Sequence, residues 1–277
     1  MIVIFDNDPD GCCAAFCVAQ AIKEGRYSHN EDRTVFLAGD YGHDFPVNKV
    51  VQGETVVILD FSIKPEVLEQ LFDRGCPVIW CDHHLSAIKQ YENFPHEILG
   101  LQDTNFCSAA LAWKYFFGID ELPDFILLLD DFDRWIWKYK HKSWHFILGI
   151  QTESLHPLTG AWSNIIKDIQ PYIEKGKVID AYQRHYYEEN HDNLFMAEFE
   201  GHPTLVANTQ GRGNFLFLGH PKYDNAVIRM IFYNTGGQYK FSIFSSSVDV
   251  SKIATKYGGG GHPGAAGFTC TEMPFQV

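Results

Sequence analysis

Several features that would define a class are missing from this 277-residue chain. No uninterrupted apolar run approaches the ~20 residues that span a bilayer. Met1 to Phe5 runs straight into Asp6, Asp8 and Asp10, without the basic segment and long apolar core of a secretion signal. A soluble, cytoplasmic protein with no membrane partner is therefore the expectation. The seven cysteines contain no C-x-x-C pair, which disfavours a zinc cluster and leaves free thiols in a reducing compartment. No Gly-Lys-Ser/Thr follows the glycine-rich stretch, which excludes a P-loop, and no dinucleotide fingerprint follows the first strand, so a dinucleotide cofactor is not expected. There is no internal repeat and no low-complexity tract. A basic stripe is also absent: 22 Lys and Arg stand against 35 acids, for a net charge of -13. A protein that tracks a long polyanion usually carries such a stripe, so a small or short substrate is favoured.

The chain does have apolar material, 45% of its residues, enough for one large core or two smaller ones. Ile2 to Phe5, Thr55 to Asp60 and Pro77 to Asp82 are short apolar runs ending in acids, as buried strands do. Helices are expected over Cys12 to Ile22, from Pro65, over Ser108 to Phe117 and over Phe125 to Leu129. This alternation predicts an α/β domain whose mainly parallel sheet is covered on both faces. Trp162 to Phe199 has a helical, polar pattern and is expected to form one or two linking helices. Beyond Gly201 the composition shifts. Thr204–Ala207, Phe215–Leu218, Ala226–Tyr233 and Tyr239–Phe244 are expected as strands, with a turn at Gly236-Gly237 and a short helix from Val250. The expected division is residues 1–190, including the linking helices, and a smaller α/β domain over 200–277.

Polar clusters sit where the strands end, and ligands of parallel sheets bind outside the carboxyl ends of strands. Asp6, Asp8 and Asp10 fall within five residues and repel one another unless a cation neutralises them. Hard divalent ions take such oxygen ligands, and manganese also accepts imidazole. An EF-hand is not expected, because apolar residues follow and no Glu occupies the twelfth position. Asp60 closes the second strand. In Cys81-Asp82-His83-His84, one imidazole can ligate a metal while the adjacent acid orients it, and the other can meet a phosphate or leaving group. Asp130, Asp131 and Asp133 crowd a helix C-terminus against its dipole, which calls for compensation by metal, Arg134 or solvent. Gly258 to Gly264 is expected as an open loop which, with His262, offers backbone N–H groups that can approach an anion closely.

In order, DNDPDG at 6–11, ILDFS at 58–62, CDHH at 81–84, LLLDDFDRW at 127–135 and GGGGHPGAAGF at 258–268 resemble the motifs of the DHH phosphoesterase superfamily over nearly the whole chain. The resemblance implies a DHH domain with two divalent cations, Mn2+ first and Mg2+ or Co2+ as alternatives. It also implies a DHH-associated domain gripping substrate phosphate across a cleft. By matching positions the metal ligands would be Asp6, Asp8, Asp10, Asp60, His83 and Asp131, with Asp60 bridging both ions. Asp130 and Asp133 remain alternatives at the fourth motif. His84, Asp82 and Asp60 would form the catalytic group, and Gly260, Gly261 and His262 would hold a distant phosphate. Two departures stand out. Asp6 and Cys12 occupy positions where many members have His and a further Asp, a pattern similar to RecJ-type exonucleases, in which a mid-motif acid, here Asp8, supplies the carboxylate. Phe244 stands where many relatives have Arg, so a phosphate contact is missing or comes from Arg212 or Arg229.

The expected activity is hydrolysis of a phosphodiester or phosphomonoester of a short nucleotide (a nanoRNA, a linear dinucleotide or a 3′-phosphorylated nucleoside phosphate) by water activated between two metals. The alternatives are an exopolyphosphatase- or pyrophosphatase-like hydrolase, a single-strand exonuclease and a non-catalytic nucleotide sensor. The partner is a small phosphate-containing substrate or short oligonucleotide; a homodimer is left open.

Overall fold

In the computed structural model, residues 1–29, 33–39, 45–189, 191–210, 213–217 and 219–275 are described. They divide into two compact units, Met1–Asp180 and Ala181–Val277.

The first unit is built on a parallel sheet of β1 (Ile2–Asp6), β2 (Val35–Gly39), β3 (Val56–Leu59) and β4 (Val78–Cys81), in the order β2-β1-β3-β4. Successive side chains of a strand face opposite ways, so fully apolar strands feed two cores. Val3, Phe5, Val57, Leu59, Ile79 and Cys81 enter one core. It is completed by α1 (Pro9–Lys23), α4 (Ser108–Phe117), α5 (Asp124–Asp133), α6 (His141–Ile150) and α7 (Ala161–Ile165). Ile2, Ile4, Val56, Ile58, Val78 and Trp80 enter the other, beneath α2 (Pro65–Asp73) and α3 (Leu85–Ile88). The division between the units falls inside α8 (Gln170–Glu189).

The expected strands and helices of this unit are present, with β2, α3 and α6 in addition. β2 is largely half-exposed and lacks the buried apolar signature of its neighbours. α6 packs on α8 through two glycines. A β-carbon at Gly149 would lie 1.9 Å from the Tyr172 carbonyl oxygen, and one at Gly176 would lie 1.7 Å from that of His145. All seven cysteines are unpaired; only Cys270 is not fully buried.

The second unit holds one sheet of β5 (Phe195–Phe199), β6 (His202–Asn208), β7 (Ile228–Asn234), β8 (Tyr239–Phe244), β9 (Gly260–His262) and β10 (Ala265–Cys270). Its order is β5-β6-β7-β8-β10-β9, with β6 and β7 parallel and the other pairs antiparallel. α9 (Val250–Lys256) covers one face through Val250, Ile253 and Ala254.

Three expectations are corrected here. Phe195–Phe199 is a strand and not the end of a linking helix. It forms a hairpin with β6 through Glu200 and Gly201, both at positive φ (51° and 75°), which is the backbone that a two-residue hairpin turn needs. A Glu in place of Asn or Asp at the first turn position hides this signal. Phe215–Leu218, expected as a strand, begins as a 3₁₀ turn over Asn214–Phe217; Leu218 lies outside the described residues. Leu216 and Phe217 are buried side by side on the sheet, a pattern that strand alternation does not allow. Finally, Gly260–His262 is an edge strand paired to β10 on one side and not an open loop.

Candidate metal centre

The carboxyl ends of β1, β3 and β4 gather the acids. Gly11 makes the first step possible: a β-carbon there would sit 2.3 Å from the Asp6 carbonyl oxygen, so only glycine lets α1 start against the end of β1. Asp8 caps α1 by accepting from Gly11 N at 2.9 Å, and Asp10 lies in the first turn, 1% exposed. Asp60 follows β3 with φ at 55°, a left-handed conformation that costs a non-glycine residue about 1–2 kcal/mol. Such outliers persist where the surroundings over-determine them, often at functional sites.

α4 supplies an unanticipated support. Asp10 accepts from Ser108 N at 2.7 Å and Ala109 N at 2.9 Å, while Ser108 Oγ donates to Asp60 Oδ1 at 3.0 Å. The N-terminus of a ten-residue helix thus holds one site carboxylate and touches a second. The only sequence signal is a serine opening an apolar helix.

His83 and His84 follow β4 and differ in electrostatics. His83 Nε2 is 3.3 Å from Asp60 Oδ1 and 3.4 Å from Asp133 Oδ2. Burial holds its pKa below the ordinary imidazole value, against the pull of Asp133. For His84, burial acts the same way but is outweighed by the 2.7 Å contact of Nδ1 with Asp82 and by the surrounding carboxylates, so its pKa is raised. His83 is thereby biased toward the neutral ligand form and His84 toward the charged donor form. Asp82, expected among the catalytic group, is fully buried and takes the backbone N–H of His83 and His84 as well as the His84 ring. It orients His84 and is not positioned to touch a substrate.

The three acids at the end of α5 separate into three roles, which corrects the assignment of Asp131 as a ligand. Asp130 is paired with Arg134 through Nε at 2.8 Å and Nη2 at 2.9 Å. Asp131 spends both oxygens on its own chain, accepting from Lys138 N at 2.6 Å, Tyr139 N at 3.2 Å and Ser143 Oγ. Asp133 is the acid that reaches the cluster. Helix periodicity explains the choice, since consecutive positions point about 100° apart and only one of the three faces the strand ends.

Among the described residues, three sets of ligand atoms lie within 4.8 Å of one another: Asp60 with His83 and His84, Asp10 with His83 and Asp133, and Asp6 with Asp8 and Asp60. Every ligand expected from the sequence except Asp131 is in one of them. Burial, then Asp8, raises the Asp10 pKa to about 7; burial, then Asp10, raises those of Asp60 and Asp133 well above the carboxylate range. Asp133 Oδ2 is buried and accepts no hydrogen bond among the described residues. Carboxylates so crowded, with an imidazole nitrogen lying between two of them, are a donor set for hard divalent cations of the manganese or magnesium type. Beside Asp8 is a hollow of about 290 Å³, lined also by Asn7, Cys12, Gln151, Glu153 and His156.

In the second unit Gly260, Gly261 and His262 are exposed on β9, and Arg229 is buried on β7. Arg212 lies outside the described residues.

A parallel α/β unit with an acid–imidazole cluster at its strand ends defines the class. Comparison with known proteins narrows it. Residues 213–275 match the DHHA1 domain family. The uncharacterized protein R106 of Acanthamoeba polyphaga mimivirus is 25% identical over 248 residues, covering 82% of this chain and 56% of that protein, so the chain spans little more than half its relative's length. Among solved structures, the exonuclease RecJ bound to manganese superposes with a TM-score of 0.55 at 14% identity, covering 97% of this chain and 85% of that one. The pGpG-specific phosphodiesterase PggH of Vibrio cholerae gives 0.54 at 12% identity, covering 98% and 93%. Over residues 213–275 the chain carries the DHHA1 match, and over nearly its whole length it shares its fold with these two solved structures. None of these comparisons supports a homodimer. Among the described residues no helix is long and apolar enough to cross a membrane.

Proposed function

We propose that this protein is a divalent-cation-dependent phosphoesterase acting on a short nucleotide substrate. The observation that carries the reading is the position of His83 Nε2 between oxygens of Asp60 and Asp133, with Asp6, Asp8 and Asp10 completing the cluster. Asp6, Asp8, Asp10, Asp60, His83 and Asp133 would hold two cations, with manganese the first choice. When bound, these would supply charge neutralisation at a phosphoryl group and a water acidic enough to attack it. Asp60 belongs to two of the ligand sets and is the natural shared carboxylate. Asp82 fixes the His84 ring through Nδ1, so His84 donates from its other nitrogen to a phosphoryl or leaving oxygen. Ser108 steadies Asp10 and Asp60 together.

The acidic balance of the chain and the small hollow beside Asp8 favour a short substrate over a long polyanion. The activities of PggH, specific for a dinucleotide, and of RecJ, an exonuclease, support the nucleotide class.

The test is a substrate panel with manganese, comparing short RNA oligonucleotides, linear dinucleotides, a 3′-phosphorylated nucleoside phosphate, polyphosphate and pyrophosphate. Phosphate release and nucleotide chromatography are read together. Asp60→Ala and His83→Ala are each expected to cut turnover on the order of a thousandfold or more while the circular dichroism spectrum is retained. Wild-type turnover by Asp60→Ala would end the proposal. Tight nucleotide binding by the wild type without release of product would replace it with a sensor.

A further inference from the structure

Immediately after Asp133 the chain changes character. Arg134-Trp135-Ile136-Trp137-Lys138-Tyr139-Lys140-His141-Lys142 holds four of the 22 Lys and Arg within nine residues and interleaves them with three aromatic rings. No other nine-residue stretch of this acidic chain gathers as many. Arg134 is committed to Asp130. Lys138, Lys140 and Lys142 are exposed, and none of them pairs with a carboxylate among the described residues. Lys138 Nζ lies 5.3 Å from the centre of the Tyr139 ring.

The rings are anchored from within. Trp144, 7% exposed, stacks on Phe132 with centroids 5.7 Å apart. Phe132 meets the edge of Trp137 at 6.0 Å, and Trp137 meets Trp135 edge-on at 5.4 Å. This line of rings ends at the surface, where Trp135 is 49% and Ile136 46% exposed. The backbone is fixed as well as the rings. Trp135, Trp137 and Lys140 all have positive φ, and Asp131 ties the segment back to the end of α5 through Lys138 N and Tyr139 N. Strained residues that the surroundings over-determine cluster at ligand clamps. An indole held in this way has little freedom left to lose when a flat ligand stacks on it. Trp135 also follows Asp133 by two positions, so their α-carbons lie within about 7 Å.

We propose that Trp135 to Lys142 is a docking surface for single-stranded nucleic acid. A surface that combines an aromatic platform with cations suits such a strand, because bases stack on rings and phosphates meet ammonium groups. Trp135 takes a base, and Lys138, Lys140 and Lys142 meet flanking phosphates. The exposed indole and lysines would also suit a bilayer surface. The net charge of -13 opposes an anionic bilayer, and the adjacency to Asp133 favours a strand whose scissile phosphate lies at the metal centre. The substrate is then a single-stranded oligonucleotide, and neither pyrophosphate nor polyphosphate. Where the strand is cut rests on the hydrolase reading; the docking surface does not.

Binding of a labelled single strand of about eight nucleotides, as RNA and as DNA, is measured by anisotropy on the full chain in EDTA across a salt series. The slope of log K against log salt is expected to flatten by about 2 when Lys138, Lys140 and Lys142 are all changed to Gln, since each phosphate contact contributes roughly 0.7. Trp135→Ala is expected to weaken binding on the order of tenfold with the slope unchanged, and Trp135→Phe to recover part of the loss. Changing the exposed Lys23, Lys167 and Lys177 to Gln removes the same charge elsewhere in the first unit and should leave the slope as in the wild type. An equal flattening by these control changes would overturn the proposal, as would wild-type affinity in Trp135→Ala. Binding to phosphatidylserine vesicles without binding to the oligonucleotide would replace it with a membrane surface. With manganese, kcat/KM for the oligonucleotide over that for a dinucleotide is expected to be on the order of tenfold or more in the wild type and to fall in both the triple lysine variant and Trp135→Ala. If nothing is hydrolysed but the salt slopes behave as stated, the docking surface stands and the hydrolase reading falls. Turnover of dinucleotides without oligonucleotide binding would leave the hydrolase and end the docking surface.

Discussion

Replacing Asp131 by alanine and Asp133 by asparagine should separate two acids that stand two residues apart. Asp131 is 2% exposed and accepts from two backbone N–H groups and the Ser143 hydroxyl. Those donors tie down a segment in which Trp135, Trp137 and Lys140 all adopt positive φ, at 56°, 59° and 55°. Each such residue costs about 1–2 kcal/mol, so the segment keeps its course only while the carboxylate holds it. A hydrogen bond to a charged acceptor contributes about 1.5–3 kcal/mol. Allowing for non-additivity and for water reaching the loop, Asp131→Ala should lose about 3–5 kcal/mol, a fall in melting temperature on the order of 10 °C. Asp133→Asn should behave in the opposite way. It removes a carboxylate whose charged form is disfavoured by burial and by Asp10, so the metal-free protein should melt at or above the wild-type temperature. Scanning calorimetry in EDTA reads the first quantity, and manganese titration by calorimetry reads the second. Asp133→Asn should lose cation affinity on the order of tenfold or more; Asp131→Ala, measured well below its melting temperature, should lose much less. Unchanged melting of Asp131→Ala together with abolished manganese binding would refute the assignment and return Asp131 to the ligand set.

Two further outcomes follow from the same geometry. Asp10 in the metal-free fold has a pKa raised from 3.8 to about 7, first by burial and then by Asp8. A carboxyl raised on folding favours the native state below its unfolded pKa, and that contribution is lost as pH rises through the folded value. Metal-free protein should therefore lose up to about 4 kcal/mol from this group between about pH 4 and pH 7, at roughly 1.36 kcal/mol per pH unit. Urea denaturation across that range should show the decline flattened in Asp10→Asn, and manganese should stabilise the wild type more above that range than near its middle; a pH-independent manganese effect would contradict this. Gly149→Ala should destabilise the first unit by about 2 kcal/mol or more, because its β-carbon would meet the Tyr172 carbonyl oxygen. An unchanged melting temperature would show that α6 and α8 separate at no cost.

Much of the chemistry was legible in the chain itself. Acids following Ile2–Phe5, Val56–Leu59 and Val78–Cys81 mark strand ends, because fully apolar runs of this length are at home in a parallel sheet buried on both faces. The order of five motifs then carries the resemblance to the DHH phosphoesterase superfamily. The hairpin at Glu200-Gly201 and the turn at Asn214–Phe217 were not legible, since unusual turn residues and consecutive buried apolar residues defeat local pattern. Asp130, Asp131 and Asp133 are chemically identical in sequence; only the direction each takes from α5 decides which meets Arg134, which holds the loop and which joins His83. Ser108 reaches Asp60 across 48 positions, and Arg229 comes to lie opposite Phe244 only through strand register. The sequence determined which donors exist and where strands end, because those are matters of local composition. Tertiary structure alone decided which donors converge, because convergence depends on helix phase and cross-strand pairing between residues far apart in the chain.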